Sequence, residues 1–292
     1  MAPKVVAFQG ERGAYGEMAT LQYFPDAKLV PLKSFQDVFD AANNNEVDYI
    51  VVPLENSIEG SINEIYDMLL QTRMTVVGEV YQRVIHCLIA NRDAKMIRYA
   101  HSHPQALAQC RGYLQRKGLK PVPTYDTAGA VKVIKENRML DSAAIASKRA
   151  AELYDMAVLD EGVEDRRNNY TRFLVLSPRK EEEGEEKKSG KVNLHDDSYK
   201  TSIIFSVQHV PGALFGILGE FAIRKINLTK IESRPTKETP WEYNFYVDFE
   251  GHLQNKAVRE ALMSIKPKIS YIKVLGSYKK ANFTSTTSSS NA

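Results

Sequence analysis

The sequence predicts an α/β protein in two parts, a larger region of alternating strands and helices and a smaller βαββαβ region. Three observations predict it. Up to about residue 177, short apolar runs alternate with helical patterns that carry one apolar face, as in layered α/β domains. Residues 178–200 then break the pattern. They are charged and poor in apolar side chains, including Lys180-Glu181-Glu182-Glu183-Gly184-Glu185-Glu186-Lys187-Lys188, which favours a solvated linker over a packed element. Beyond it the pattern restarts in the order β-α-β-β-α-β, a ferredoxin-like arrangement. The expected divisions are 1–177, 178–200, 201–278 and a Ser/Thr/Asn-rich tail at 279–292.

The elements follow in order. Residues 4–8 read as a buried strand entering Gln9-Gly10-Glu11-Arg12-Gly13-Ala14-Tyr15-Gly16, then a helix with Ala14, Met18 and Leu21 near one face. The glycines permit a tight turn, and the helix N-terminus beyond it presents N–H groups to an anion. Neither a dinucleotide glycine spacing nor a Walker lysine is present. Ser34 and Asp37 form a capping-box pattern before Val38, Phe39, Ala41 and Ala42, and Asn43-Asn44-Asn45 ends that helix. Residues 49–52 are a continuous apolar run, as in a central parallel strand, and deliver Glu55, Asn56 and Ser57 to its C-terminal end, where ligands of open α/β sheets gather. Ser61 is the expected cap of a helix bearing Ile62, Ile65, Met68 and Leu69.

Residues 76–80 and 84–89 read as strands, the second carrying His86 and Cys87. His86 in an apolar strand is more often a core histidine than a catalyst. Residues 98–101 lead into Ser102-His103-Pro104-Gln105, where Ser102 is the expected N-cap and Pro104 suits a first helical turn. Leu107, Cys110 and Leu114 mark one face of a helix that Gly118 stops, with Gln109 as a polar residue beside that face. Residues 124–127 turn into a helix with Ala130, Val133 and Ile134. Residues 143–146 form a strand, Ser147 caps the next helix, and 157–159 are expected to return the chain to the first lobe. In the smaller region, strands are expected at 202–207, 227–234, 243–249 and 271–275, with a turn at 237–240. The helices start at Pro211-Gly212-Ala213 and over Ala257, Ala261, Leu262 and Ile265.

Bulk properties exclude several classes. A net charge of +3, with no basic stripe interleaved with aromatics, argues against nucleic acid as a partner. No apolar run approaches the roughly 20 residues that span a bilayer, and no secretory signal is visible at the start, so no membrane partner and a cytoplasmic location are expected. Asn282-Phe283-Thr284 matches a glycosylation triplet but is not expected to be used there. Cys87 and Cys110 lack metal-ligand spacing and read as buried thiols.

Four stretches carry the chemistry: Pro53-Leu54-Glu55-Asn56-Ser57-Ile58-Glu59-Gly60, Ser102-His103-Pro104-Gln105, Gln109-Cys110, and Asn168-Asn169-Tyr170-Thr171-Arg172-Phe173. In this order they resemble the signature of the prephenate dehydratases. Pro211-Gly212-Ala213-Leu214 and Ile231-Glu232-Ser233-Arg234-Pro235 resemble the ACT regulatory domain found with those enzymes. The resemblance spans about residues 5–278, with no helical mutase segment before it, so a monofunctional enzyme is expected. It implies two α/β lobes like those of periplasmic binding proteins, with the site in the cleft between them, and a homodimer or homotetramer. It also implies prephenate as substrate and L-phenylalanine as effector, bound by Gly212, Ala213, Leu214, Asn227, Glu232 and Ser233.

Prephenate loses its ring carboxylate as carbon dioxide and its ring hydroxyl as water, and aromatisation drives the step. No cofactor and no metal are therefore expected. The resemblance assigns Thr171 to the departing hydroxyl, and hydrogen-bond donation is easier to defend than full proton transfer from an alcohol. Glu55, were burial to raise its pKa, is the competing general acid. Asn56, Ser57, Ser102 and Gln109 would orient the substrate. Arg172 either pairs with a substrate carboxylate or holds the loop through an internal salt bridge. Two rivals stand beside this reading: an arogenate dehydratase on the same scaffold, and a two-lobed binding module joined to an amino-acid sensor.

Overall fold

The computed structural model describes residues 2–178, 198–237 and 241–282. Most of the expected linker, the tip of the turn at 237–240, and most of the tail, with Phe283 and Thr284 of its glycosylation triplet, lie outside these residues. The larger region runs β1 (Val5–Gln9), α1 (Tyr15–Tyr23), β2 (Lys28–Leu32), α2 (Phe35–Asn43), β3 (Tyr49–Asn56), β4 (Gly60–Ser61), α3 (Asn63–Gln71), β5 (Thr75–Arg83), β6 (Cys87–Ala90) and β7 (Tyr99–Ser102). It continues with α4 (Pro104–Gln109), α5 (Arg111–Lys117), β8 (Lys120–Pro123), α6 (Thr127–Glu136), β9 (Ser142–Ala146), α7 (Lys148–Leu153), β10 (Ala157–Glu161) and β11 (Tyr170–Ser177). The smaller region is β12 (Tyr199–Ser206), α8 (Ala213–Ala222), β13 (Leu228–Pro235), β14 (Tyr243–Glu250), α9 (Lys256–Ile265) and β15 (Tyr271–Lys279).

Three sheets result. The first has the order β2-β1-β3-β11-β5, with β4 on β3; the second is β10-β6-β9-β7-β8; the third is β13-β14-β12-β15. The third order, with α8 and α9 over one face, is the ferredoxin-like topology expected from the element sequence. Packing divides the chain into two compact units. One comprises residues up to 65 together with 80–173, and the other residues 66–79 together with those from 174 onward. Among the described residues no helix is long and apolar enough to cross a membrane.

The first unit holds two α/β lobes. In the first, β1 lies between β2 and β3 in parallel register, and β3 has buried residues at Ile50, Val51 and Val52. The Ser34–Asp37 capping box forms as expected: Asp37 N donates to Ser34 Oγ and Ser34 N donates to Asp37 Oδ2, both at 3.1 Å. In the second lobe, β7 pairs in parallel with β8 and β9 around a core of Ala100, Leu107, Leu114 and Ile145. Gly118 ends α5 at φ +65, a conformation that glycine adopts without strain.

Several expectations are corrected. Two further strands, β2 and β8, contain Pro31, Pro121 and Pro123; both are edge strands, where a missing N–H is tolerated. The segment at 157–159 does not return the chain to the first lobe. It is β10, antiparallel to β6 in the second sheet, and β11 makes the return. Ser61 belongs to β4, and α3 starts at Asn63. Ser102 ends β7, and the N-cap of α4 is His103, whose Nδ1 accepts from Gln105 N at 3.3 Å.

The expected single helix around Leu107 to Leu114 is two helices, broken at Cys110. The cause is distant in sequence. Asp165 N donates to Gln109 O at 2.8 Å, and the Asp165 carboxylate accepts from Gly112 N (2.8 Å) and Tyr113 N (3.2 Å), capping α5 from outside. A Cβ on Gly112 would lie 2.8 Å from Asp165 Oδ1, so the cap needs glycine there.

Both cysteines are buried and unbridged. Burial, with Glu161 nearby, pushes the Cys87 thiol up to about 11, and burial with Glu164 beside it pushes Cys110 further still. Neither thiol should react with iodoacetamide at pH 8 in the native chain, and both should after denaturation, as read by intact mass. Labelling of the native protein at either position would show that these lobes open more readily than their packing implies.

Candidate active site

The first unit encloses a cavity of about 390 Å³ between its lobes. Thr171 and Phe173 of β11, Pro53 and Asn56 of β3, and Gln9, Ala14, Tyr15 and Gly16 around the glycine turn line it from the first lobe. His103, Gln105, Gln109, Tyr125, Asp126 and Thr127 line it from the second, with His86 between. Gly13 packs the glycine turn against α7: its added Cβ would lie 2.7 Å from Ala150 Cα, and Ser147 Oγ donates to Gly13 O at 2.6 Å.

Asn56 is the centre of the polar floor. Its Oδ1 accepts from the backbone N–H groups of Ile58 (2.9 Å) and Glu59 (3.0 Å). A carbonyl oxygen must therefore face that turn, and the Asn56 amide group must face the other way. There Nδ2 donates to Asn169 Oδ1 (2.7 Å), Thr171 Oγ1 (3.0 Å) and Tyr170 O (3.2 Å). Asn169 Nδ2 in turn donates to Gln109 Oε1 at 2.9 Å. Thr171 Oγ1 is thus an acceptor toward Asn56, and among the described residues no acceptor takes its own proton. Thr171 lines the cavity, so that proton is available to a ligand.

The other expected site residues fall in different places. Ser102 is fully buried and its Oγ donates to Ile145 O at 2.6 Å, so its neighbours His103 and Gln105 line the cavity and it does not. Ser57 ties the loop together instead, its Oγ donating to Asn168 O and accepting from Tyr170 N, each at 3.0 Å. Arg172 is buried and donates from Nη1 to Glu55 Oε1 at 3.2 Å; neither residue is among those lining the cavity. β11 alternates side chains between the faces of its sheet, so Thr171 and Phe173 face the cavity while Arg172 points away.

Asp126 escaped the sequence reading, which saw only a turn at 124–127. Its Oδ1 accepts from Gly129 N at 2.8 Å and caps α6. Burial raises its pKa, and Glu11 nearby adds to the rise. Among the described residues no lysine or arginine lines the cavity. The start of α1 compensates in part. Ala14, its N-cap, makes no side-chain cap, and Tyr15 and Gly16 line the cavity at the positive end of the helix. Among the described residues no group of His, Cys, Asp and Glu has the geometry of a metal site.

In the second unit, Gly212 is the N-cap of α8 at φ +80, with Ala213 as its first helical residue, and Leu214 packs on the core under the helices. Asn227 Nδ2 donates to Glu250 Oε2 at 3.2 Å. Ser233 pairs with Phe245, which packs on the core beneath α8 and α9, so Ser233 shares the helix face. Glu232 pairs with Tyr246 and lies on the opposite face beside Lys230, 3.9 Å away. The six residues expected at the effector site are therefore split between the two faces of this sheet.

Two family models match the chain. The prephenate dehydratase family model matches residues 6–181, and the ACT domain model matches residues 201–266. The arogenate dehydratase/prephenate dehydratase 2 of Arabidopsis thaliana is 40% identical over 284 residues, covering 94% of this chain and 72% of that one. The prephenate dehydratase of Methanocaldococcus jannaschii is 40% identical over 281 residues, covering 94% and 98%. Among solved structures, a protein described as a quorum-quenching acylase superposes with a TM-score of 0.85 at 31% identity, covering 95% of this chain and 98% of that one. The prephenate dehydratase of Arthrobacter aurescens in complex with L-Phe superposes with a TM-score of 0.83 at 27% identity, covering 94% and 90%.

Proposed function

Because the chain belongs to the prephenate dehydratase family, lyases carrying here an ACT domain, we propose that it converts prephenate to phenylpyruvate, carbon dioxide and water on the route to L-phenylalanine. The observation that carries this reading is the hydrogen-bond polarity at Thr171. With Asn56 donating to Oγ1, the threonine proton is left for an oxygen in the cavity. As the ring carboxylate departs, its bonding electrons enter the ring and the C–O bond breaks. The Thr171 hydroxyl donates a hydrogen bond to the leaving oxygen and reduces its charge as it departs as hydroxide, which takes a proton from solvent to become water. Gln109 and Asn56 orient the ring, and the exposed N–H groups at the start of α1 hold a carboxylate. Glu55 and Arg172 are paired to each other, which favours Thr171 over Glu55 as the donor. Acyl transfer would need a nucleophile beside a base, and Thr171 Oγ1 is bonded to an amide.

A second reading is arogenate as substrate. Asp126 favours it: a carboxylate borders a cavity that no described lysine or arginine lines, and arogenate bears an ammonium where prephenate bears a keto oxygen. The regulatory reading is that phenylalanine binds at the Gly212–Ala213 helix start with Ser233 nearby and inhibits the enzyme, and that the active form is a cytoplasmic dimer or tetramer. We assign residues 1–177 to catalysis, 178–200 to a linker and 201–278 to sensing. The solved relative with bound L-Phe supports the effector class.

A turnover assay tests these readings together. Purified protein given prephenate should form phenylpyruvate, with the rate falling as phenylalanine is added. Asp126→Asn should lower kcat/KM for arogenate relative to prephenate by about 10–100-fold if that carboxylate receives an ammonium. An unchanged ratio would remove Asp126 as a selector. Turnover of arogenate alone would move the enzyme to the other branch, and turnover of neither would favour a binding module.

A further inference from the structure

We propose that His86 is a positioning residue whose ring tautomer sets the direction of the Thr171 hydroxyl proton. The inference rests on the reading of Thr171 as the hydrogen-bond donor to the leaving group. His86 has 2% of its surface exposed and stands at the far end of the amide chain from Thr171. Its Nε2 lies 3.0 Å from Gln109 Oε1, and its Nδ1 lies 3.1 Å from the Tyr15 hydroxyl.

The polarity of the chain is determined from two independent ends. At one end the backbone N–H groups of Ile58 and Glu59 require Asn56 Oδ1, which makes Asn56 a donor to Asn169, and Asn169 a donor to Gln109 Oε1. At the other end Gln109 Nε2 points to the Glu59 carboxylate at 3.4 Å, which again leaves Oε1 facing His86. Two acceptors cannot face each other at 3.0 Å, so His86 Nε2 carries a proton. Nδ1 then presents its lone pair to Tyr15, whose hydroxyl shares its proton between Nδ1 and Ile85 O, the latter 2.7 Å away. Burial lowers the pKa of His86, in keeping with a neutral ring of defined tautomer.

The opposite tautomer would propagate. With Nε2 unprotonated, Gln109 would turn its amide toward the ring, Asn169 would reverse, and Asn56 would follow. Asn56 would then lose its two backbone donors and present Oδ1 to Thr171 Oγ1. The threonine proton would point inward, away from the cavity. His86 therefore acts through three side chains, Gln109, Asn169 and Asn56, on the Thr171 proton.

Two variants and one spectrum test this in the full chain. His86→Gln keeps an N–H donor within reach of Gln109, and His86→Leu removes it at similar volume. His86→Leu should lower kcat by roughly 10–100-fold with KM nearly unchanged, and His86→Gln should recover most of the loss. Equal losses in both variants would indicate packing alone, and full activity in His86→Leu would overturn the proposal. Independently of activity, ring ¹⁵N NMR of labelled protein, with the His86 signal assigned by its loss in His86→Gln, should show the proton on Nε2; a proton on Nδ1 overturns it. If Thr171→Val is fully active, the donor reading falls and this inference falls with it. If Thr171→Val is inactive while His86→Leu is not, only this inference falls.

Discussion

Replacing Thr171 by valine is expected to lower kcat by roughly 10²–10⁴-fold, with the protein folded and KM little changed. Valine has nearly the shape of threonine, so Thr171 should be replaced without a cavity. Asn56 Nδ2 loses one acceptor but keeps Asn169 Oδ1 and Tyr170 O. What disappears is the proton that faces the cavity. An interaction made mainly as charge grows on the leaving oxygen contributes to kcat more than to KM, which is the signature to look for. Thr171→Ser keeps the hydroxyl and should retain most of the activity. The measurement is steady-state turnover of prephenate and of arogenate by both variants. A valine variant within about three-fold of the parent kcat would take Thr171 out of the chemistry.

Replacing Lys200 by methionine is expected to cost about 3–5 kcal/mol of stability in the second unit. Lys200 Nζ lies 2.9 Å from both carboxylate oxygens of Glu79, and the two side chains are 6% and 0% exposed. Methionine matches the stem of lysine but leaves a buried carboxylate without its ammonium. Ala281 N, 3.2 Å from Glu79 Oε1, is a neutral donor and offsets only part of that loss. The unfolding midpoint of this unit, followed by circular dichroism, should fall by on the order of 10 °C. The double change Lys200→Met with Glu79→Leu removes both charges and should recover most of the difference. A single variant as stable as the parent would show that water or another group reaches Glu79.

Much of this architecture was legible because it is written at short range. The apolar run before Glu55, the Ser34–Asp37 box, the Ser147 cap and the left-handed stop at Gly118 each involve residues within four positions of one another. Local periodicity and capping therefore suffice to identify such elements. The motifs also pointed to the family whose model the chain matches, and Asn56, Gln109 and Thr171 meet around one cavity.

The direction of each side chain was decided elsewhere. Ser102 sits in a recognisable motif, yet the approach of β9 turns its hydroxyl to Ile145 O. Arg172 and Glu55 are 117 residues apart and find each other because β11 lies beside β3 in the first sheet. Asp165 breaks a helix that the sequence would continue, and that break leaves Gln109 at a helix end, where it reaches both His86 and Asn169. The sequence by itself determined most of the elements and three of the polar residues at the site, Asn56, Gln109 and Thr171. Only the tertiary structure decided which of them face the cavity and which way each hydrogen bond runs, because a hydrogen bond's direction depends on partners that distant chain segments supply.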